Sequence, residues 1–471
     1  MKFLTLISKG GRTTLKHWHD ECAVFGTWGD EEAARMTYLG LYAQQHRGQE
    51  SAGIVSLHNG EHIAHRGLGL VGDVFTESSL DRLKGFASIG HVRYSTTGKN
   101  SIANIQPLRA KLSDGDIAIA HNGNIVNSEN IRNTLVKEGA IFQGTNDTEC
   151  LLHLLAKNPN KDRIEALKKE LVKLEGAFSL VLLSQNSLIV ARDPMGFRPL
   201  VLGHRNQSNG MKSYVVASET CAFDLIGATY EREVEPGELL VIDGNGIQSH
   251  RFSESEKKAR CVFEHVYFSR PDSVVFGKSV YESRKKMGEI LFEEDPTEGD
   301  IVIPVPDSGV PAALGYANKS GIPFEIGIIR NHYIGRTFIQ PSQSIRSFGV
   351  KIKLNPQSQV LKGKRVIVID DSIVRGTTSQ KIIRMIRQAG AKEVHFRIAS
   401  PPTTGACYYG VDTPESEKLI ANKQSVEQIR KFIDADTLTY ISNEGMLRAV
   451  EGDDKTYCSA CFTGNYPTEL Y

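Results

Sequence analysis

At 471 residues the chain is too long for a single hydrophobic core and is expected to form two domains, of about 230 and about 210 residues. Lys and Arg number 56 and Asp and Glu 55, a balance that gives no electrostatic case for nucleic acid or for a membrane surface. No apolar stretch approaches the ~18 residues of a membrane span, and 7 cysteines, mostly far apart, suit a reduced, cytoplasmic protein better than a disulfide framework.

Residues 1–21, MKFLTLISKGGRTTLKHWHDE, hold an apolar run of only about five residues, shorter than the roughly 7–15 of a secretory signal. Lys2, Lys9, Arg12 and Lys16 suit an organellar transit peptide, while the shortness of the segment and Asp20 and Glu21 at its end speak against one. Cys22 then opens the strand-like run CAVFGTW. Further short runs, FASIGHVRY, DIAIAHNG, AFSLVLL, SLIVARD, SYVVASE and ELLVIDG, are separated by Gly, Asp and Asn turns and predict antiparallel sheet. Helical patterns interrupt them at 31–48 and 148–158, the second marked by Leu151, Leu152, Leu154 and Leu155. SHRFSESEKKAR (249–260) is polar and charged and reads as the domain boundary. From about Val262 the pattern becomes strand–loop–helix: IVIPV leads through PDSG into a helix, and RVIVID through DSIVRGTT into another, followed by EVHFRIAS. Such alternation predicts a doubly wound, mostly parallel α/β domain.

Four motifs of the first half belong together: Cys22 itself, GHVRYSTTG (90–98), HNGN (121–124) and NDTE (146–149). One thiol, one arginine, an Asn-Gly pair and one carboxylate are the parts needed to bind glutamine and hydrolyse its side-chain amide. Taken singly, Arg93 reads equally as a surface ion pair and Asp147 as the cap of a helix starting at Thr148. Together, the motifs resemble the glutamine amidotransferases that use an N-terminal cysteine. The resemblance implies an αββα sandwich and a propeptide at 1–21, whose removal frees the α-amine of Cys22. That amine, with an ordinary pKa of about 8, is suited to act as base near neutrality. It further implies that Asn122 and the Gly123 N–H stabilise the oxyanion, that Arg93 forks onto the glutamine α-carboxylate, and that Asp147 takes the α-ammonium.

In the second half, VIVIDDSIVRGTT joins a buried strand to an amphipathic helix whose apolar face is Ile382, Ile383, Met385, Ile386 and Ala389. Loop hydroxyls and backbone N–H groups ahead of a helix N-terminus form an anion site, and Asp370 and Asp371 stand at the strand end where open α/β sheets bind ligands. No G-x-x-x-x-G-K-[ST] is present, which excludes a Walker A loop. The pattern resembles the phosphoribosyltransferase signature for phosphoribosyl pyrophosphate (PRPP). It implies PRPP contacts from Asp370, Asp371, Ser372, Arg375, Gly376, Thr377 and Thr378, and Mg2+ held with Ser308 of VPDSG (305–309), Asp370 and Asp371. The basic, aromatic, glycine-punctuated segment 330–355, with Arg330, His332, Arg336 and Arg346 around Tyr333 and Phe338, has the composition of a lid over a polyanion.

With both halves present, the chain from Cys22 to Tyr471 resembles the glutamine phosphoribosylpyrophosphate amidotransferase family. The resemblance implies the first committed step of purine synthesis: ammonia released from glutamine passes inside the protein to carbon 1 of PRPP. The expected layout is a propeptide (1–21), an α+β N-terminal nucleophile sandwich as the glutaminase domain (22–255), and an α/β phosphoribosyltransferase domain with a C-terminal cluster-binding segment (256–471). Cys458 and Cys461 form a C-x2-C, and with Cys261 and Cys407 could hold zinc or an iron–sulfur cluster, between which spacing does not decide. The propeptide-bearing branch of the family carries a 4Fe–4S cluster on cysteines in these four contexts. In motif terms that cluster stands apart from both active sites, which suggests a structural clamp. Cys150 and Cys221 read as buried core thiols. The family also implies a homotetramer and feedback by purine nucleotides, with no nucleic-acid or membrane partner. A hexosamine-forming amidotransferase would need sugar-isomerase repeats where the PRPP motifs stand, and a PRPP-sensing regulator would have no reason to keep Cys22, Arg93, HNGN and Asp147 together.

Overall fold

The structure is a computed structural model that describes residues 20–95, 102–158, 162–207, 210–255, 257–331 and 353–470. Most of the expected leader, and 332–352 of the expected lid, lie outside the described residues. Two antiparallel sheets make up the first half. One has seven strands in the order Thr229–Glu233, Val201–Asn206, Lys212–Ala217, Asp20–Trp28, Ala87–Ser95, Ser51–His58 and Glu61–Leu68. The other has six, in the order Gly246–Arg251, Glu238–Asp243, Leu188–Arg192, Gly176–Leu183, Gly115–Ile125 and Leu108–Leu112.

Alternation along the strands sorts their side chains into three cores. In Asp20–Trp28, Ala23 and Phe25 pack with Leu41 of the helix Ala33–Ala43, whereas Val24 and Trp28 face the second sheet. In Gly115–Ile125, Ala118 and Ala120 point inward, while Ile117 and Ile119 pack outward with Leu151, Leu155 and Leu167 of the helices Glu149–Lys157 and Arg163–Leu171. The result is helix on sheet on sheet on helix, the expected αββα sandwich.

The second half is built on a four-stranded parallel sheet in the order Ile301–Pro304, Arg365–Asp370, Glu393–Ile398 and Thr437–Tyr440. The strands Ile301–Pro304 and Arg365–Asp370 are apolar on both faces, as strands covered by helices on each side require, whereas Glu393–Ile398 and Thr437–Tyr440 keep His395, Arg397, Thr437 and Thr439 on one face. Val302, Ile367 and Ile369 join one core with Met287 and Tyr316 of the helices Val280–Glu294 and Val310–Ser320. Ile303, Val366 and Val368 join another with Ile382, Ile383 and Ile386 of the helix Thr377–Gln388. The first of these cores also takes in Ala177 and Phe197, which precede the boundary. The two halves therefore share apolar packing across the polar segment that separates them in sequence.

Candidate functional site

The glutaminase motifs converge at one end of the sandwich. Cys22 and Arg93 are register partners on adjacent strands, and both are buried, at 2% and 8% exposure. By parity with Val24 and Ile89, which face the second sheet, Cys22 and Arg93 stand on the inner face. Asn122 reaches toward them from the opposite sheet, by parity with Ala118 and Ala120. Its Nδ2 donates to Ser218 Oγ (3.2 Å), which also accepts from the N–H of Val24 (3.0 Å). Polar residues thus replace the apolar filling at this end. Ser218, which ties the oxyanion candidate to the cysteine strand, escaped the sequence reading because a lone serine carries no spacing signal.

Gly123 has φ +144°, a conformation that L side chains rarely adopt, and a Cβ there would lie 2.2 Å from the carbonyl oxygen of Ala177. Only glycine fits. The cap reading of Asp147 is corrected: Thr148 is the N-cap of the helix Glu149–Lys157, and no side chain caps its first turn. Asp147 precedes that helix and accepts from the Thr148 N–H at 2.7 Å. Its other oxygen accepts from the Ile125 N–H at 2.9 Å, and His121 Nδ1 stands 3.5 Å away. Burial works against its charge, but His121 and these N–H groups hold the carboxyl below the ordinary range. The Ile125 and Thr148 N–H groups fix the orientation of a charged carboxylate, as a ligand role for Asp147 requires. Behind it His91 is fully buried, its pKa lowered to about 3 chiefly by burial and next by Arg93, and so remains neutral.

The other constellation forms around the end of Arg365–Asp370. Asp370 and Asp371 are each 7% exposed. Burial raises both carboxyls, Asp370 also through the charge of Asp371. Ser308 donates to Asp371, so the PDSG turn and the acidic pair meet as expected. Thr377 and Thr378 open the helix Thr377–Gln388, which has no side-chain cap on its first N–H groups. Gly376, at φ +72°, turns the chain into that helix. An acidic pair suited to a cation thus lies beside a helix N-terminus suited to phosphate.

Cys261, Cys407, Cys458 and Cys461 line one cavity of about 590 Å³ together with Asp370 and Thr377. Cys261 and Cys458 are register partners in the short parallel pairing of Arg260–Cys261 with Tyr457–Cys458. The expected remoteness of these cysteines from the active sites is thereby corrected. Sequence distance hid their place because Cys261 precedes the parallel sheet and Cys458 and Cys461 follow it, and the pairing of Arg260–Cys261 with Tyr457–Cys458 brings them together beside Cys407. Burial pushes the Cys261 thiol up to about 12, and pushes Cys458 and Cys461 well above the ordinary range. Thiolates here require a compensating cation, which fits a metal centre. Among the described residues no three His, Cys, Asp or Glu side chains converge closely enough to hold a single metal ion. Cys150 and Cys221 are buried in the first half, as expected of core thiols.

Residues 91–224 match the glutamine amidotransferase domain, and residues 277–413 the phosphoribosyl transferase domain. The chain is 56% identical over 452 residues to a chloroplastic amidophosphoribosyltransferase of Glycine max, covering 96% of this chain and 79% of that one. It is 49% identical over 462 residues to the amidophosphoribosyltransferase of Bacillus subtilis (strain 168), covering 97% and 96%. This chain belongs to the amidophosphoribosyltransferase family. The solved glutamine PRPP amidotransferase of B. subtilis, complexed with ADP and GMP, superposes with a TM-score of 0.90 at 48% identity, over 96% of this chain and 98% of that one. The protein is accordingly an enzyme of glutamine-dependent PRPP amination in purine biosynthesis. As a PRPP-binding enzyme it uses Mg2+.

Proposed function

We propose that Cys22 attacks the glutamine amide carbon and carries the acyl group as a thioester, after loss of residues 1–21 frees its α-amine to act as base. Arg93, opposite Cys22 in the ladder, binds the α-carboxylate, and Asp147 binds the α-ammonium with lone pairs not used by Ile125 and Thr148. Asn122 Nδ2 and the Gly123 N–H face the oxyanion, each donor worth about 3 kcal/mol in the transition state. The ammonia released crosses inside the protein to carbon 1 of PRPP and displaces pyrophosphate. The observation that carries this reading is that the convergent Cys22, Arg93 and Asn122 and a PRPP-type loop occupy halves that share one apolar core.

In the second site the N–H groups and hydroxyls of Ser372, Gly376, Thr377 and Thr378, with the Arg375 side chain, hold the phosphates of PRPP. Ser308, Asp370 and Asp371 are the residues to hold Mg2+, which supplies charge neutralisation for the departing pyrophosphate. Cys261, Cys407, Cys458 and Cys461 are assigned one iron–sulfur cluster of the 4Fe–4S type. A lone zinc, about 2.3 Å from each thiolate, needs all four sulfurs close to one point. Four thiols on one cavity support a shared metal–thiolate centre, and the 4Fe–4S type is what the family resemblance implies. The domain limits 22–255 and 256–471 follow the last strand of the second sheet, Gly246–Arg251. Purine nucleotides are read as feedback ligands, supported by the ADP and GMP on the B. subtilis relative, and a homotetramer is read from the family. The leader is assigned as a propeptide of a cytoplasmic enzyme; the chloroplastic soybean relative makes organellar import the second reading. Among the described residues no helix is long and apolar enough to cross a membrane.

Asp370→Asn tests the two-site assignment. Synthesis should fall by orders of magnitude with glutamine and with free ammonia alike, because the lost charge faces PRPP. Loss confined to glutamine-dependent synthesis would show that Asp370 serves the other site.

A further inference from the structure

The strand end that bears the candidate oxyanion donor is backed by the second domain. A Cβ on Gly410 would lie 2.8 Å from the Cα of Gly123 and 2.9 Å from its carbonyl carbon. One residue on, Asn124 Nδ2 donates to the carbonyl oxygen of Tyr408 at 2.9 Å. Gly123 thus lies between Ala177 of its own sheet and Gly410 of the other half. The 408–410 turn is itself anchored. The ring of Tyr409 stacks on Phe197 with centroids 4.2 Å apart and planes 19° from parallel. Its hydroxyl lies 2.9 Å from Thr468 Oγ1. Phe197 is held in turn by Asp193, whose carboxylate also accepts from the N–H of Phe178, the register partner of Gly123.

We infer that the 408–410 turn of the transferase half is a positioning element for glutamine hydrolysis, fixing the direction of the Gly123 N–H. A glycine at φ +144° has no side chain to hold it, and an oxyanion donor is effective only when its dipole is already aimed where charge develops. The brace supplies that aim from the other domain: Gly410 packs against the peptide, and the Asn124 bond to Tyr408 fixes the next residue. Asp412 and Thr413, just beyond the turn, line the cavity shared with Asp370, so the same short segment touches both sites. This inference rests on the reading of Gly123 and Asn122 as the oxyanion donors.

The test uses the full-length enzyme with three variants, measuring glutamine-dependent and ammonia-dependent synthesis. For Asn124→Ala and Gly410→Ala, kcat with glutamine should fall about tenfold or more, as for a misaimed oxyanion donor. The glutamine KM should stay within about twofold, since substrate binding is not what is lost. Ammonia-dependent synthesis should be unchanged. If Asn124→Ala leaves kcat with glutamine intact, or lowers both nitrogen donors equally, the brace is refuted, whether or not Gly410→Ala folds. Asn122→Ala separates the two claims: if it retains glutamine hydrolysis, the oxyanion reading itself is wrong. If it loses hydrolysis while Asn124→Ala does not, only the brace is.

Discussion

Arg47 and Glu264 form a fully buried ion pair that joins the glutaminase half to the transferase half. Arg47 lies in the turn Gln45–Arg47, Glu264 opens the π-helical turn Glu264–Phe268, and 217 residues separate them in sequence. Neither charge is alone. Arg47 also bonds Glu219, and Glu264 takes Arg198 at 2.8 Å, so two cations and two anions balance in one buried cluster. Both guanidiniums lie over the ring of Phe268, at 4.4 Å and 5.0 Å from its centroid.

Removing one member of so buried a network strands a charge. Glu264→Ala should cost about 3–5 kcal/mol, because Arg47 and Arg198 would keep their desolvation cost with one carboxylate between them. Denaturant unfolding of the purified variant reads this directly, and a midpoint equal to that of the parent chain would contradict it.

The same network sets an acid limit. Burial alone would raise the Glu219 carboxyl, but Arg47 and then His46 outweigh it and hold it well below its ordinary 4.5. A carboxyl whose folded pKa is depressed stabilises the fold above its unfolded pKa, and that stability drains away as pH falls below about 4.5, by up to about 1.4 kcal/mol per pH unit. Glu219→Gln should therefore be less stable at pH 7 and show a flatter decline from pH 5 to pH 3. Parallel stability curves for the two proteins would show that Glu219 does not titrate this way.

Cys22→Ser should abolish synthesis with glutamine and spare synthesis with ammonia, since the thiol stands in the sandwich and PRPP is handled elsewhere. Intact-mass measurement of the active enzyme should show loss of residues 1–21. Full glutamine-dependent activity in a chain that keeps them would rule out the α-amine as base.

Cys458→Ser should give insoluble or protease-sensitive protein, because a thiolate centre on these residues joins the segment after the boundary, the loop at Cys407 and the C-terminal segment. Metal-binding energy at such a junction is folding energy. Iron and acid-labile sulfide should be found in anaerobically purified parent protein. Stoichiometric zinc without iron would replace the cluster by a tetrahedral site.

Much of this architecture is legible in the residues. AFSLVLL and RVIVID are apolar on both faces, and each proves to be a strand covered on both sides. Asp370 and Asp371 end their strand as the motif implied, beside Ser308. The hairpin Ser51–His58 and Glu61–Leu68 went unread although Asn59-Gly60, both at positive φ, is a strong turn signal. Its second strand, EHIAHRGL, is too polar to suggest a strand by hydropathy. Arg47 and Glu264 were beyond reach, because an ion pair across 217 residues leaves no periodicity. The meeting of Cys407 with Asp370 was equally hidden: it depends on which strand ends share an edge of the sheet.

The contact of Gly123 with Gly410 bears on how such an enzyme can be taken apart and rebuilt. At Gly410 a methyl group would be refused by the Gly123 backbone of the other half, so the two sites cannot drift independently. A glutaminase half transplanted onto a foreign synthase would need a partner loop with glycine at the point of touch. Without one, the halves would stand off and leave the aminating pocket ajar.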